Sequence, residues 1–555
     1  MQFWNKIKEV FRRMIGNKTL EQALKITPAI STEMKKSIEL WVDMYQGNSY
    51  WLKEPTAPDP ERITSIGLPA MIASEKARMA VLEFSSEITA PTEVTTIENP
   101  NYQLPKADKD GVIHTTTEPK FITEEKVIGD TTRAEYLNKQ YQTKILPKLR
   151  NITEYLVALG GYVIKPYVTI IQDATEEDVA YDMEFDLVHA DMFYPLAFDS
   201  TGKLIDAAFI QPRPTANAIY YRVERHTLNR NTVIITNTAY KNENPQALYG
   251  SEKGVDLGQE ISLSEVSEWA NLSPKSTINN VNQLLFVYIK MPEANTIDLH
   301  SPLGVSGYSR AVDLIKDADI QYSTYLWEYE GGQMAIDIDR DALKTFETAD
   351  GRTFEMPSTR QNRLMRKVEL GEDNTYQVFA PALRDANYQA GLDTILKRIE
   401  DVCSISRGTL SDVTTEAKTA TELNILKQRN YAANAELQKS LENGLKELVS
   451  IMDIYCTIYN IVGDVILTPD GTADDSSKGQ YEISFEWDDS ILVNKNEELG
   501  KRITLQQNGL AGKVENRMWY FGETEAQARE ALKKIANEEK EAMENSLMGV
   551  NSGGF

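Results

Sequence analysis

Histidine and cysteine are scarce in this chain and long apolar runs are missing; each shortage removes a class of function. The four histidines, His114, His189, His226 and His300, lie far apart, and none sits in an H-E-x-x-H or H-x-E setting that would hold zinc. Two cysteines exclude a disulfide framework, and Cys403 and Cys456 both fall within helical periods, where a small buried hydrophobe suffices. No stretch has the roughly 20 apolar residues of a membrane span. The nearest, Ile451 to Val462, is broken by Asp453, Thr457 and Asn460. Met1 to Leu20 lacks the apolar centre of a signal peptide, because Lys6, Lys8, Glu9, Arg12 and Arg13 interrupt it. The chain is therefore expected to stay in the cytoplasm where it is made, with no membrane partner.

Catalytic signatures are missing as well. There is no G-x-x-x-x-G-K-[ST] loop, and Gly250, Gly254 and Gly258 do not make a dinucleotide fingerprint. Asp337, Asp339 and Asp341 match the first spacings of a calcium loop, but Ala342 and Thr348 stand where that loop needs Gly and Glu; we read the run as a solvated turn. Gly304-Val305-Ser306-Gly307 lacks the final glycine register of a nucleophile elbow. No catalytic residue, no metal and no cofactor is expected.

What is present is acid, apolar periodicity and length. The formal net charge is −24, which argues against a wide surface that grips nucleic-acid phosphates. It fits a surface that DNA must pass without sticking, and solubility alone also accounts for it. With 555 residues, 41% of them hydrophobic, the chain can bury a sizeable core divided among several domains. Its centre of organisation runs from Pro381 to Tyr459. Leu392, Ile395, Leu396, Ile399, Val402 and Cys403 recur at helical steps, predicting a helix of roughly 35 Å. Leu441, Leu445, Leu448, Met452, Tyr455 and Tyr459 continue a second, very long helical seam back through Leu437 towards Leu423. Between them, Ser404 to Lys418 is polar and carries Gly408. An ordinary helical hairpin buried in a globular core has the same pattern.

Upstream, Phe3, Trp4, Ile7, Val10, Phe11, Met14 and Ile15 make a basic amphipathic helix, suited to docking on a protein neighbour or lying on a membrane surface. Glu33 to Tyr50, Pro69 to Ile88 and Thr131 to Leu159 read as helices, with a Pro- and Thr-rich irregular excursion from Thr89 to Pro119. From Gly160 the period drops to two: Tyr162 to Ile171, Ala180 to His189, Lys203 to Gln211, Ile219 to His226 and Thr232 to Tyr240 predict an antiparallel meander. A helix from Ser309 to about Glu330 stops at Gly331-Gly332, and Ala335 to Phe379 alternates short strands with turns. Tyr481 to Trp487 reads as a strand, and Glu497 to Gln507 and Glu523 to Asn545 as helices. The fold class is α+β and helix-rich.

In this order the elements resemble those of portal proteins from tailed double-stranded DNA bacteriophages, of the type found in long-tailed phages of Gram-positive bacteria. Three stretches carry the likeness: Gly304-Val305-Ser306-Gly307-Tyr308-Ser309, Lys418-Thr419-Ala420-Thr421-Glu422, and Phe485-Glu486-Trp487-Asp488-Asp489-Ser490 with the later Gln507-Asn508-Gly509-Leu510. The resemblance covers nearly the whole chain. It implies a subunit with a wing (1–308), a stem helix (309–330), a clip (331–380), a second stem helix (381–403), a tunnel loop (404–418), a very long helix returning to the wing (419–490) and a crown (491–555).

It further implies a non-enzymatic ring, typically a dodecamer, at one vertex of the capsid in the virion, assembled in the host cytoplasm. Double-stranded DNA would be packaged and ejected through it. Its partners would be itself, the terminase, the head-to-tail adaptor, and the major capsid and scaffold proteins. On this basis Ser406, Arg407, Gly408, Thr409, Ser411 and Lys418 would face DNA, with pairing of Arg407 to an acidic neighbour such as Asp412 an equal alternative. Arg360, Arg363, Arg366 and Lys367 form a basic cluster that would dock a partner, or else be a solvated turn or bridge subunits. The competing classes are another structural virion or scaffold-like protein and, third, a nuclease using carboxylates such as Asp488 and Asp489.

Overall fold

A computed structural model describes residues 18–52, 63–82, 84–98, 106–107, 113–114, 121–127, 131–170, 181–244, 256–339, 345–347, 353–355, 365–368, 376–412, 420–461, 481–487, 495–521, 528–529 and 531–535. It divides into two units, Met1–Glu486 and Trp487–Phe555. Helices and antiparallel sheets are mixed throughout, which is the α+β class. The amphipathic segment Phe3 to Ile15 lies outside the described residues.

In the first unit the helices are α1 (Leu20–Leu24), α2 (Thr32–Tyr45), α3 (Leu68–Val81), α4 (Thr131–Gln140), α5 (Leu149–Leu159), α6 (Val312–Gly331), α7 (Asp385–Val402) and α8 (Ala420–Ile458). Ser31 caps α2 by accepting from Met34 N, and Pro69 sits inside the first turn of α3, where its missing N–H has no cost. The predicted helix Thr131 to Leu159 forms but is interrupted by a π turn at Tyr141–Ile145 and a tight turn at Leu146–Lys148, which contains Pro147.

The meander is a sheet of antiparallel pairs running Lys18–Thr19, Asp256–Ile261, Thr232–Asn242, Ile219–Asn229, Leu204–Pro214, Phe193–Phe198, with Lys275–Asn279 added to Thr232–Asn242. Strand alternation sends Ile219, Tyr221 and Val223 into one core with Leu20, Leu24, Tyr194, Leu196, Ala208, Ile210, Tyr240 and Leu257. Each such side chain, fully buried, contributes about 1.5–3 kcal/mol. Beside it a three-stranded sheet runs Val287–Lys290, Gly161–Ile170, Tyr181–His189.

Three expectations fail here. Phe84–Thr89 is a strand and does not continue α3; it pairs with Glu482–Trp487, and Ser86 Oγ donates to Ser484 O at 2.8 Å. The described parts of the excursion after Thr89 are strands: Thr92–Glu98 pairs antiparallel with Phe121–Val127, and Lys106–Ala107 with Ile113–His114. Asp337 and Asp339 likewise lie in a strand, Ala335–Asp339, and make no turn.

Gly304 to Ser309 is buried against the end of α5. Gly160 has φ +78°, and a Cβ there would lie 2.6 Å from the carbonyl carbon of Val305, so only glycine fits. Ser306 Oγ donates to Val157 O at 3.3 Å, and Tyr308 Oη to Trp41 O at 2.9 Å. This stretch fastens the start of α6 to the body.

Of α8, 39 residues and about 58 Å long, the predicted seam is buried: Leu437, Leu441, Leu445, Leu448, Met452 and Tyr455, whereas Tyr459 is partly exposed. Cys403 and Cys456 are buried and free, and burial pushes both thiols up to about 12.

The second unit holds α9 (Lys495–Gln507) and α10 (Lys513–Phe521), the latter absent from the sequence-based expectation. They are joined through Gly509 at φ +72°, and Asn516 Nδ2 donates to Arg502 O and Gln506 Oε1 at 3.3 and 3.0 Å. Arg502 stacks over Trp519 at 4.3 Å. Most of 523–545 lies outside the described residues.

Candidate functional site

The predicted rods form an antiparallel hairpin. α6 is rooted in the body by Asp319, which accepts from Trp51 Nε1 at 3.0 Å and Ile66 N at 2.8 Å, and by Ser323, which accepts from Thr64 N. Burial raises the Asp319 carboxyl above its ordinary range against those hydrogen bonds. At the far end Arg384 closes the hairpin with a fork onto Glu328, 3.1 Å from Nε and 2.7 Å from Nη2. α7 starts at Asp385, so it has 18 residues and spans about 27 Å, shorter than expected.

Beyond this end sits a small sheet in which Ala335–Asp339 is central, antiparallel to Tyr376–Phe379 and parallel to Met365–Val368. Arg366 and Lys367 of the predicted docking patch stand in that parallel strand, in register with Asp337 and Ile338. Arg360 and Arg363 lie outside the described residues. The outer half of the hairpin leaves large apolar side chains uncovered: Ile320, Leu326, Trp327 and Tyr329 on α6, then Met334, Tyr376, Val378 and Leu383.

At the body end α7 runs into the predicted loop, and the organising group is one the sequence did not nominate. Glu400 is completely buried. Its Oε1 accepts from the backbone of Gly408 (3.1 Å), Leu410 (2.6 Å) and Ser411 (2.9 Å), and its Oε2 accepts from Ser411 Oγ at 2.8 Å. A buried carboxylate is tolerable only when its lone pairs are filled in this way. Gly408, at φ +87°, makes the left-handed turn that brings its own N–H and those of Leu410 and Ser411 onto one oxygen, while the Thr409 N–H turns away to Ser406 O. The loop from Ser404 to Asp412 is thus folded around the last turn of its own helix.

The other predicted residues take part in the same fold. Thr409 donates to Ser406 O through its backbone N–H at 3.2 Å and its hydroxyl at 2.7 Å. Arg407 forks onto Asp401, Nε at 3.1 Å and Nη2 at 2.6 Å, and this bond holds the guanidinium above its ordinary range. The acidic partner is therefore Asp401 and not Asp412, whose N–H donates to Asp393 Oδ1. Ser411 is buried; Lys418 lies outside the described residues.

A sequence signal for this arrangement existed. Glu400 and Asp401 stand in the last turn of a helix whose dipole repels acid, so both needed donors from outside the helix. Arg407 and the turn at Gly408 supply them.

A second charged cluster joins the meander to the three-stranded sheet. Glu224 takes Lys165 Nζ at 2.8 Å, Arg222 Nη2 at 2.9 Å and His226 Nε2 at 2.6 Å, and Lys165 also reaches Asp186 at 3.1 Å. Burial opposes the charge, but Lys165, His226 and Arg222 together outweigh it and hold the Glu224 carboxyl well below its usual range. Burial lowers the His226 imidazole, which is therefore neutral at pH 7. With its lone pairs filled, Glu224 is a structural anion with nothing left to act as a base. Among the described residues no group of His, Cys, Asp and Glu could hold a metal ion, and no helix is long and apolar enough to cross a membrane.

No family model matches the chain, and no curated protein matches it.

Proposed function

We propose that the chain is the subunit of a portal-type ring at a phage capsid vertex, which passes double-stranded DNA and docks a packaging terminase and a head-to-tail adaptor without performing chemistry itself. The observation that carries this is the rod. A hairpin rooted at Asp319, closed by Arg384 and Glu328, tipped by a small sheet and apolar along its outer half, has faces that a single copy leaves uncovered. A buried core hairpin would have them covered.

In this reading 309–330 and 381–403 are the stem, 331–380 the clip, 404–418 the tunnel loop, 419–490 the long helix, 1–308 the wing and 491–555 the crown. Ser406, Arg407, Thr409 and Lys418 then present the loop to DNA. With Asp401 neutralising Arg407, and an acidic chain around it, the duplex meets little to hold it in place.

Native mass spectrometry with negative-stain imaging of the purified chain tests this. Closed rings of about a dozen copies with an open centre, the number that the resemblance to portal proteins implies, are the expected result. A monomer that stays monomeric with scaffold and capsid proteins present would favour a different, non-ring virion or scaffold role.

A further inference from the structure

Where α3, the 291–294 segment, the end of α7 and the middle of α8 meet, the first unit encloses a cavity of about 210 Å³. That is room for about seven waters at about 30 Å³ each, or for one small ion with a few waters. Its polar lining includes Lys76, Glu293, Arg310, Ser404, Asn434 and Glu436.

The hydrogen-bond inventory of this lining is unbalanced. Asn434 is 4% exposed, and its Nδ2, with two N–H groups, has no acceptor. Leaving such a donor buried and unmet is unfavourable. Lys76, also buried, gives bonds to Glu293 Oε1 at 3.2 Å and Gly307 O at 3.3 Å, and an ammonium carries a third N–H. Arg310 stands exposed at the mouth and donates to Ala294 O at 3.4 Å, using one of its five N–H groups. On the acceptor side, Glu293 is engaged by Lys76, and Glu436 is exposed at the rim.

We infer that this cavity binds a small oxyanion, a phosphate or a carboxylate, through Asn434, Lys76 and Arg310. An amine is the wrong partner: it would face Lys76 and leave Asn434 unmet. Val402 and Ser404 form one wall and Ala433 to Leu437 another, so the anion joins the two helices that carry the loop between them. Ser404, at φ +55°, is the left-handed residue at which the chain leaves α7, and a bound anion would hold that turn. The inference stands whether or not the chain passes DNA.

Calorimetric titration of the full chain with sodium phosphate and, in parallel, with sodium acetate, against chloride at matched ionic strength, tests it. Saturable binding of one anion per chain is expected. The tighter arm assigns the site to a tetrahedral or a planar oxyanion. Asn434→Leu should weaken binding about tenfold to a hundredfold, the loss of hydrogen bonds to a charged group, while the thermal midpoint in chloride holds or rises. Arg310→Gln, at the exposed mouth, should also weaken it and serves as the variant that leaves the core intact. Absence of saturable binding in both arms, or wild-type affinity in both variants, overturns the assignment.

Discussion

α5 is the shorter of two helices and buries far more than the longer, α7. α5, with 11 residues, buries Leu149, Ile152, Thr153, Leu156, Val157, Ala158 and Leu159; α7, with 18, buries only Ile399 and Glu400. The body of the first unit is determined by contacts within one chain. The hairpin has polar fixings at its two ends, Asp319 and Glu328, and among the described residues nothing covers Ile320, Leu326, Trp327 and Tyr329 on its side. If the hairpin is the assembly surface, as proposed, stability and assembly are written in different regions, and substitutions should separate them.

The largest loss of stability is expected in the body. Glu224→Gln leaves the buried Lys165 and the half-buried Arg222 with too little counter-charge, and removal of one partner from such a cluster costs about 3–5 kcal/mol. Urea unfolding should show it; a loss under 1 kcal/mol would mean that the cluster is solvated and the contrast with the hairpin is weaker than drawn.

Next comes Asp453 in α8, 3.1 Å from the buried Arg133. Burial, opposed by Arg133, raises its carboxyl to about 6, above the about 3.9 of an unfolded chain. The folded state then holds the proton more tightly between about pH 4 and 6, so this group's contribution to stability is present below that window and lost as pH rises through it. Asp453→Asn should flatten the stability profile relative to wild type by about 2–3 kcal/mol across the window. Parallel profiles would remove the assignment.

At the junction, Glu400→Ala takes away the acceptor of three backbone donors and one hydroxyl. Because the loop can open without the core, the expected outcome is local. Amides of Gly408, Leu410 and Ser411 exchange with deuterium about 100-fold faster, while the global midpoint barely moves. On the hairpin itself, the pair Ile320→Ser and Trp327→Ser should change subunit stability by no more than about 0.5 kcal/mol, as for other exposed positions. The same pair should abolish rings seen by native mass spectrometry. Intact rings would place the interface elsewhere.

Periodicity made the five predicted strands legible, although they divide between two sheets and not one meander, and it made the seam of α8 legible, because each element buries one face. Phe84–Thr89 was misread because Met79, Val81, Leu82 and Phe84 imitate a helical step, and its partner strand is some 400 residues away. Of the loop, the polar composition and the turn at Gly408 were visible. Its anchor was not, since a buried acid with an apolar neighbour on either side of the helix looks like a break in a stripe. Asp401 was passed over for Asp412, which is no farther from Arg407 in sequence but bonds away from it.

The pairing of Phe84–Thr89 with Glu482–Trp487 also has a temporal side, since Ser85 Oγ donates to Glu486 across 401 positions. At synthesis rates of about 5–20 residues per second, the early strand leaves the ribosome roughly 20–80 s before its partner exists. For that interval it is an open edge carrying Phe84 and Ile88, the kind of template on which chains mispair. Yield in the cell should therefore respond to elongation rate and to chaperone supply more strongly than the stability of the finished fold would suggest.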